Sequence, residues 1–323
     1  MDVTRRTLLT AAATGAAVLS VPSLARPRRY KVRLGIQTYS FRDLLPTPGD
    51  TVDKMIQACK DLGVDMIELF EPTVEPPALS AHAAWAFTGG KPTEASLYGR
   101  PPEGTRPAAV LQSREDLRKY RLATPIARFR EIGRRFRAAG IEVQAFNFGL
   151  KDDCTDAEVE WGFAATKALG TNLMTASTTL SMLRRTAPFA ARHRTLLGLH
   201  GHSNLRDPNQ LATPESFEQG LAMSPWYRLN FDIGHFAAAG FDTLGFLHRH
   251  HENVCSVHLK DRKANFGMNM PYGQGDTPIA GVVRTITENG WNIPIFLEYE
   301  YAGGPSQDEL RRSLAYVRKF VVR

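Results

Sequence analysis

Four short apolar runs in the second half of this 323-residue chain end in side chains that bind cations or move protons. Residues 196–204 carry His200 and His202, residues 229–235 carry Asp232 and His235, residues 257–261 carry His258 and Lys260, and residues 295–300 carry Glu298 and Glu300. Alternate residues of a strand point to one face, so His200/His202, His258/Lys260 and Glu298/Glu300 are pairs that can each aim into one cavity. Imidazoles and carboxylates gathered from successive strand ends form the donor set of a divalent cation. The pattern points to a metal-dependent enzyme.

Positioning such groups requires a repeated scaffold, and the chain alternates strand-like and helical patterns eight times. Strand-like runs fall near 32–38, 66–70, 142–148, 173–176, 196–199, 229–232, 254–259 and 295–299. Helical patterns follow at 50–62, 125–139, 156–169, 179–193, 213–223, 243–251, 279–289 and 307–320. Thr213-Pro214 reads as a helix start, and Gly63, Gly140, Gly170 and Gly290 stand where left-handed helix stops are expected. Eight such units predict an α/β fold, a (β/α)8 TIM barrel, with a doubly wound open sheet as the alternative. The barrel is favoured because the polar residues lie at the C-terminal strand ends, and no glycine-rich dinucleotide fingerprint follows the first strand.

One connection breaks the rhythm. Residues 73–124, after the second strand, are rich in Pro and Gly, with short helices expected at 79–87 and 113–120. So long an insertion at the active-site end is expected to be a lid or substrate-shaping segment, with Trp85, Phe87 and Tyr98 as its large aromatics.

Composition sets the outer bounds. With 43% hydrophobic and 23% charged residues the chain reads as globular rather than disordered. Residues 1–25, with Arg5-Arg6 ahead of an apolar stretch and Ser23 and Ala25 at its end, are expected to be a twin-arginine export signal. Residues 26–323 would then be a single exported, periplasmic domain. No later run is long enough to cross a bilayer, so no stable membrane insertion is expected. Cys59, Cys154 and Cys255 lack metal-binding spacing and are expected to be buried free thiols. The net charge of +7 is dispersed apart from Arg128, Arg130, Arg134, Arg135 and Arg137, which read as a solvated helix face rather than a nucleic-acid patch.

The ordered motifs Gly35-Ile-Gln-Thr-Tyr-Ser-Phe41, Ile67-Glu-Leu, Gly198-Leu-His-Gly-His202, Asp232-Ile-Gly-His235-Phe, His258-Leu-Lys-Asp-Arg262, Gly273-Gln-Gly-Asp-Thr-Pro278 and Leu297-Glu298 resemble the xylose-isomerase-like TIM-barrel family. That family includes sugar isomerases and epimerases, inosose dehydratases and endonuclease IV. The resemblance implies one divalent metal ion (Mn, Zn, Mg or Co) held by Asp232, His258 and Glu298, with His200 in the fourth place. It also shows two departures. Many relatives have Glu where the fifth strand here ends in His200-Gly-His202, and the loop often reading Gly-Glu-Gly is Gly273-Gln274-Gly275 here.

The roles then expected are catalytic for His200, His202, Glu68 and Lys260, and substrate-binding for Tyr39, Phe41, Asn147, His235, Gln274 and Glu300. Phe146 and Asn204 are further candidates at the mouth. His200 and His202 are both candidates for the fourth ligand. The expected activity is isomerisation or epimerisation of a non-phosphorylated keto-sugar through an enediolate. A lyase or dehydratase acting on 3-keto-glycosides or inososes is the alternative, and a non-catalytic periplasmic carbohydrate-binding protein a further one. The expected partner is a small carbohydrate and not nucleic acid, with homo-oligomers common among relatives.

Overall fold

Residues 32–76, 79 and 108–321 are described by the computed structural model. Its strands are β1 (Leu34–Gln37), β2 (Met66–Phe70), β3 (Glu142–Asn147), β4 (Leu173–Ser177), β5 (Leu196–His200), β6 (Tyr227–Asp232), β7 (Val254–Leu259), a small antiparallel pair β8 (Asp261–Arg262) and β9 (Asn269–Met270), and β10 (Ile295–Leu297). Eight of them form a closed parallel barrel in the order β1-β10-β7-β6-β5-β4-β3-β2. Parallel neighbours need crossover connections. These are supplied by α1 (Thr51–Leu62), α2 (Ala108–Ala123), α3 (Ala127–Ala138), α4 (Asp156–Leu169), α5 (Leu180–His193), α6 (Pro214–Ala222), α7 (Ile233–Ala238), α8 (Thr243–His250) and α9 (Ile279–Asn289), while α10 (Ser306–Arg318) follows the last strand.

Local chemistry sets the helix ends. Thr155 and Glu158 form a reciprocal capping box at the start of α4, and Thr213 and Ser216 do the same for α6, where Pro214 fills the first turn. The four expected glycine stops all adopt positive φ, from 61° at Gly63 to 95° at Gly170. On α3 the Phe129, Ile132 and Phe136 side chains are buried, while Arg128, Arg130, Arg134 and Arg137 face solvent, as expected of a solvated arginine face.

Strand parity separates two layers. Ile67 and Leu69, Leu197 and Leu199, Leu229 and Phe231, Val257 and Leu259, and Ile295 and Leu297 pack in the main apolar core. The alternate residues Glu68, His200, Asn230, Asp232 and His258 are also buried, yet hydrogen-bond or pair with one another across the barrel. The barrel interior at this end is therefore polar, and its groups need mutual partners or a ligand.

Of the long connection after β2, α2 is docked by buried ion pairs. The Arg121 guanidinium, 2% exposed, donates to Glu75 at 2.7 Å and Glu71 at 3.0 Å, and lies over the Phe148 ring. Arg114 and Arg118 both reach Glu158 on α4, at 2.7 and 2.9 Å. The helix is longer than the expected 113–120, whereas the expected helix at 79–87, Trp85, Phe87, Tyr98 and the export signal lie outside the described residues. All three cysteines are free. Among the described residues no helix is long and apolar enough to cross a membrane.

Candidate metal centre

His200, Asp232, His258 and Glu298 stand at the C-terminal ends of β5, β6 and β7 and just beyond β10. One donor atom from each lies within 4.8 Å of all the others. Asp232 does two jobs. Its Oδ1 accepts the His235 backbone N–H at 2.8 Å and caps α7, while its Oδ2 is buried without a hydrogen-bond partner. Gly234 makes this arrangement possible, because a Cβ there would sit 2.5 Å from the Lys260 carbonyl oxygen. The short helix α7 thus presses its N-terminus against the end of β7.

The histidines are oriented from behind. His200 Nδ1 lies 3.1 Å from Asn230 Oδ1, and its Nε2 is 3.9 Å from Asp232 Oδ2. His258 lies between two carboxylates, with Nε2 at 2.9 Å from Glu68 and Nδ1 at 3.0 Å from Glu298. Lys260 Nζ is 3.2 Å from Asp232, 3.1 Å from Glu298 and 2.7 Å from Glu300. Among the described residues Glu68, Asp232, Glu298 and Glu300 face two cationic groups, His258 and Lys260, leaving a formal excess of two negative charges. Uncompensated buried charge is costly, and a dication removes the excess. The donor set and this charge balance fit a divalent cation.

Protonation follows from the same neighbours. Burial would depress His258, but Glu68 and Glu298 outweigh it and raise its pKa to about 10. Burial likewise opposes the charge on Lys260, yet Asp232, Glu298 and Glu300 hold it well above the ordinary lysine range. Glu298 is held well below the carboxylate range by Lys260 and His258 in spite of burial. Burial first, and then neighbouring cations, push His200 down and His202 and His235 far down, so these rings are neutral. A second grouping, His200, His202 and His235, also comes within 4.8 Å. It is the poorer site for a cation, because His235 faces Arg262 at 2.7 Å and Lys260 at 3.1 Å.

The cavity above the cluster, about 40 Å³, is walled by Gln37, Tyr39, Phe70, Asn147, Ser177 and His202 together with His200, His258 and Glu298 of the cluster and the Lys260–Glu300 pair. A larger hollow of about 490 Å³ lies at the opposite end of the barrel, bounded by Arg33, Glu142 and Cys255. It holds none of the grouped donors, so the smaller cavity is the one with chemistry.

Several expected site residues take other places. Phe41 is fully buried in the core, because the chain leaves β1 through a 3-10 turn (Thr38–Leu44) that rotates this ring away from the mouth. Phe146 is equally buried, between Phe129 and Phe148. Gln274 is exposed in a loop whose Gly273 and Gly275 amides bond Asp261, and it does not line the cavity. Glu68 sits beneath the cluster at 0% exposure with all its bonds made, so it is not placed to reach a substrate. Asn204 accepts the Arg206 N–H within a turn. His235 stands behind Lys260 rather than on the wall. Tyr39, Asn147, His202, Lys260 and Glu300 do line the cavity. Asn230 went unexpected, although it shares a strand face with Asp232. Thr175, Gln37, Phe70 and Ser177 gave no local signal that sets them apart.

Residues 56–320 match the xylose isomerase-like TIM barrel family. The chain belongs to that family. Over 75 residues it is 29% identical to the L-ribulose-5-phosphate 3-epimerase UlaE of Escherichia coli, a match covering 23% of this chain and 26% of that protein. The chain therefore spans about a quarter of the length of the curated relatives it matches. Among solved structures, the apo 3-keto-D-glucoside 4-epimerase YcjR from E. coli aligns with a TM-score of 0.59 at 14% identity, over 90% of this chain and all of that one. The IolI protein with a bound zinc atom gives the same TM-score, identity and coverage. These likenesses show the fold. Membership of the family and the four-residue cluster together support a metal-dependent enzyme of this fold family.

Proposed function

We propose that this chain is a divalent-metal-dependent isomerase or epimerase of a non-phosphorylated keto-sugar, exported by its twin-arginine segment. The observation that carries the reading is the convergence of one donor atom each from His200, Asp232, His258 and Glu298 at the end of the barrel. Those four residues would hold the cation, with Zn²⁺ or Mn²⁺ best suited to two imidazoles and two carboxylates. A cation held there supplies Lewis-acid charge that stabilises oxyanion character beside a carbonyl. The IolI protein, which shares the fold, carries a bound zinc atom, and this supports a metal-dependent reading.

The remaining steps fall to the side chains. His202, neutral and on the cavity wall, removes the proton next to the carbonyl. Lys260, a fixed ammonium, faces the oxygen of the resulting enediolate and stabilises it. Asn147, Ser177, Gln37 and Glu300 bond hydroxyls, while Tyr39 and Phe70 give one apolar wall. No arginine lines the cavity among the described residues, which supports a non-phosphorylated substrate.

A second reading is favoured by one feature. The neutral His202 imidazole can take a proton while the fixed Lys260 ammonium steadies negative charge on a departing oxygen, a pairing that suits expulsion of a β-leaving group from a 3-keto-glycoside or inosose. Incubation of metal-loaded protein in D₂O with a panel of ketoses and 3-keto-glycosides, followed by NMR, separates the two. Deuterium at one carbon with the glycoside intact supports the isomerase or epimerase. Released aglycone supports the lyase, and no deuterium uptake from any substrate defeats both.

A further inference from the structure

We infer that Glu68 is a positioning residue that selects which ring nitrogen each histidine of the cluster presents to a cation. The inference rests on the metal-site reading above and concerns a residue that touches neither substrate nor cation. Glu68 Oε1 accepts from Thr175 Oγ1 at 2.7 Å and Asn147 Nδ2 at 3.1 Å, and Oε2 accepts from Asn230 Nδ2 and His258 Nε2, both at 2.9 Å. One buried carboxylate on β2 thereby joins β3, β4, β6 and β7.

An ionised carboxylate only accepts, so every group around it must donate. Four donors close on the two Glu68 oxygens, and the carboxylate accepts from each of them. His258 therefore carries a hydrogen on Nε2, and when a cation displaces the second ring proton, Nδ1, on the Glu298 side, is the nitrogen left to bind it. Asn230 must turn its NH₂ toward Glu68 and so its Oδ1 toward His200. That oxygen can only accept, which places the His200 hydrogen on Nδ1 and the lone pair on Nε2, facing Asp232 Oδ2. Both tautomers are thus set by the same carboxylate, directly for His258 and through one amide for His200. Histidines that bind metals generally donate their second N–H to such a partner, and losing the partner weakens affinity by about 10–100-fold.

The variants are Glu68→Leu, Glu68→Gln and Asn230→Leu, titrated with Co²⁺, with ¹⁵N NMR of the imidazoles reading the tautomers. Glu68→Leu is expected to lose about 10–100-fold in Co²⁺ affinity and to mix the tautomers of both histidines. Glu68→Gln is expected to recover most of the affinity. Its amide oxygen still accepts from Asn230 and His258, while its NH₂ meets the rotatable Thr175 hydroxyl and the Asn147 amide, which turns its oxygen toward it. Asn230→Leu is expected to free the His200 tautomer and leave His258 unchanged, and it decides the matter if Glu68→Leu does not fold. A purely structural Glu68 would lower stability without moving Co²⁺ affinity or the ring signals. Wild-type protein that binds Co²⁺, beside folded Glu68→Leu or Asn230→Leu that binds it equally with unchanged imidazole signals, overturns the inference and leaves the metal reading standing. Wild-type protein that binds no Co²⁺ overturns both.

Discussion

Asp232 and Lys260 carry opposite charges into the same cavity, and their neighbours give them separable effects. In Asp232→Asn the amide oxygen can still accept the His235 N–H, so the cap of α7 survives while the charge on the buried Oδ2 side is lost. Glu298→Gln likewise removes a ligand charge at almost constant shape. Both variants are expected to keep a wild-type circular dichroism spectrum and lose bound metal by elemental analysis. Stoichiometric metal in both would remove Asp232 and Glu298 from the ligand set. Lys260→Met is expected to behave in the opposite way. The ammonium pairs with Asp232 and Glu298, so its removal leaves those carboxylates more available and metal content should hold or rise. Turnover is expected to fall by roughly 10²–10³-fold, the usual consequence of losing one preorganised charge beside a developing oxyanion. Turnover that stays within about twofold of wild type would exclude Lys260 from that role.

At the level of elements, the barrel strands are held by their neighbours, whereas α2 is held by charge. Arg121 is enclosed by Glu71 and Glu75, and Glu71 also accepts the Gly149 N–H at 2.6 Å, just past the end of β3 that carries Asn147. Docking of α2 and the shape of the cavity wall are thus linked through one carboxylate. Removing one partner of a buried ion pair costs roughly 3–5 kcal/mol, because the other charge is left unpaired. Arg121→Met is expected to lose about that much stability in urea unfolding, and a loss below roughly 1 kcal/mol would show that α2 is held by something else. Acid should act on the same helix through Glu158. Burial raises its pKa, but Arg114 overcomes this and lowers it to about 2. A carboxylate depressed in the fold contributes stability above its unfolded pKa and loses it as pH falls toward the folded value. Wild-type stability should therefore decline between about pH 4.5 and 2, and Glu158→Gln should flatten that limb. An unchanged acid limb in the variant would place the titration elsewhere.

For the molecule as a whole, most of the barrel was legible because its signals are local. Apolar runs, the Thr155 and Thr213 caps and the glycine stops each act within a few residues, and the strand bounds fall within about three residues of expectation. What failed to show was whatever depends on a turn or on convergence. Phe41 reads as a mouth aromatic until the 3-10 turn carries it into the core. The helix α7 is too short for periodicity, and its cap doubles as a candidate ligand. The place of Glu68 appears only when four other strands close around it. The same closure gives the last prediction. The cluster joins β5, β6 and β7 to the segment after β10, and its excess negative charge sits inside the barrel. A dication that binds the folded state and not the unfolded chain should stabilise the whole molecule by about 2.7 kcal/mol when present at 100 times its dissociation constant. Thermal unfolding should therefore shift upward on adding Zn²⁺ or Mn²⁺ to chelator-treated protein, and the shift should vanish in Asp232→Asn. A shift of equal size in that variant would locate the stabilising cation outside the barrel mouth.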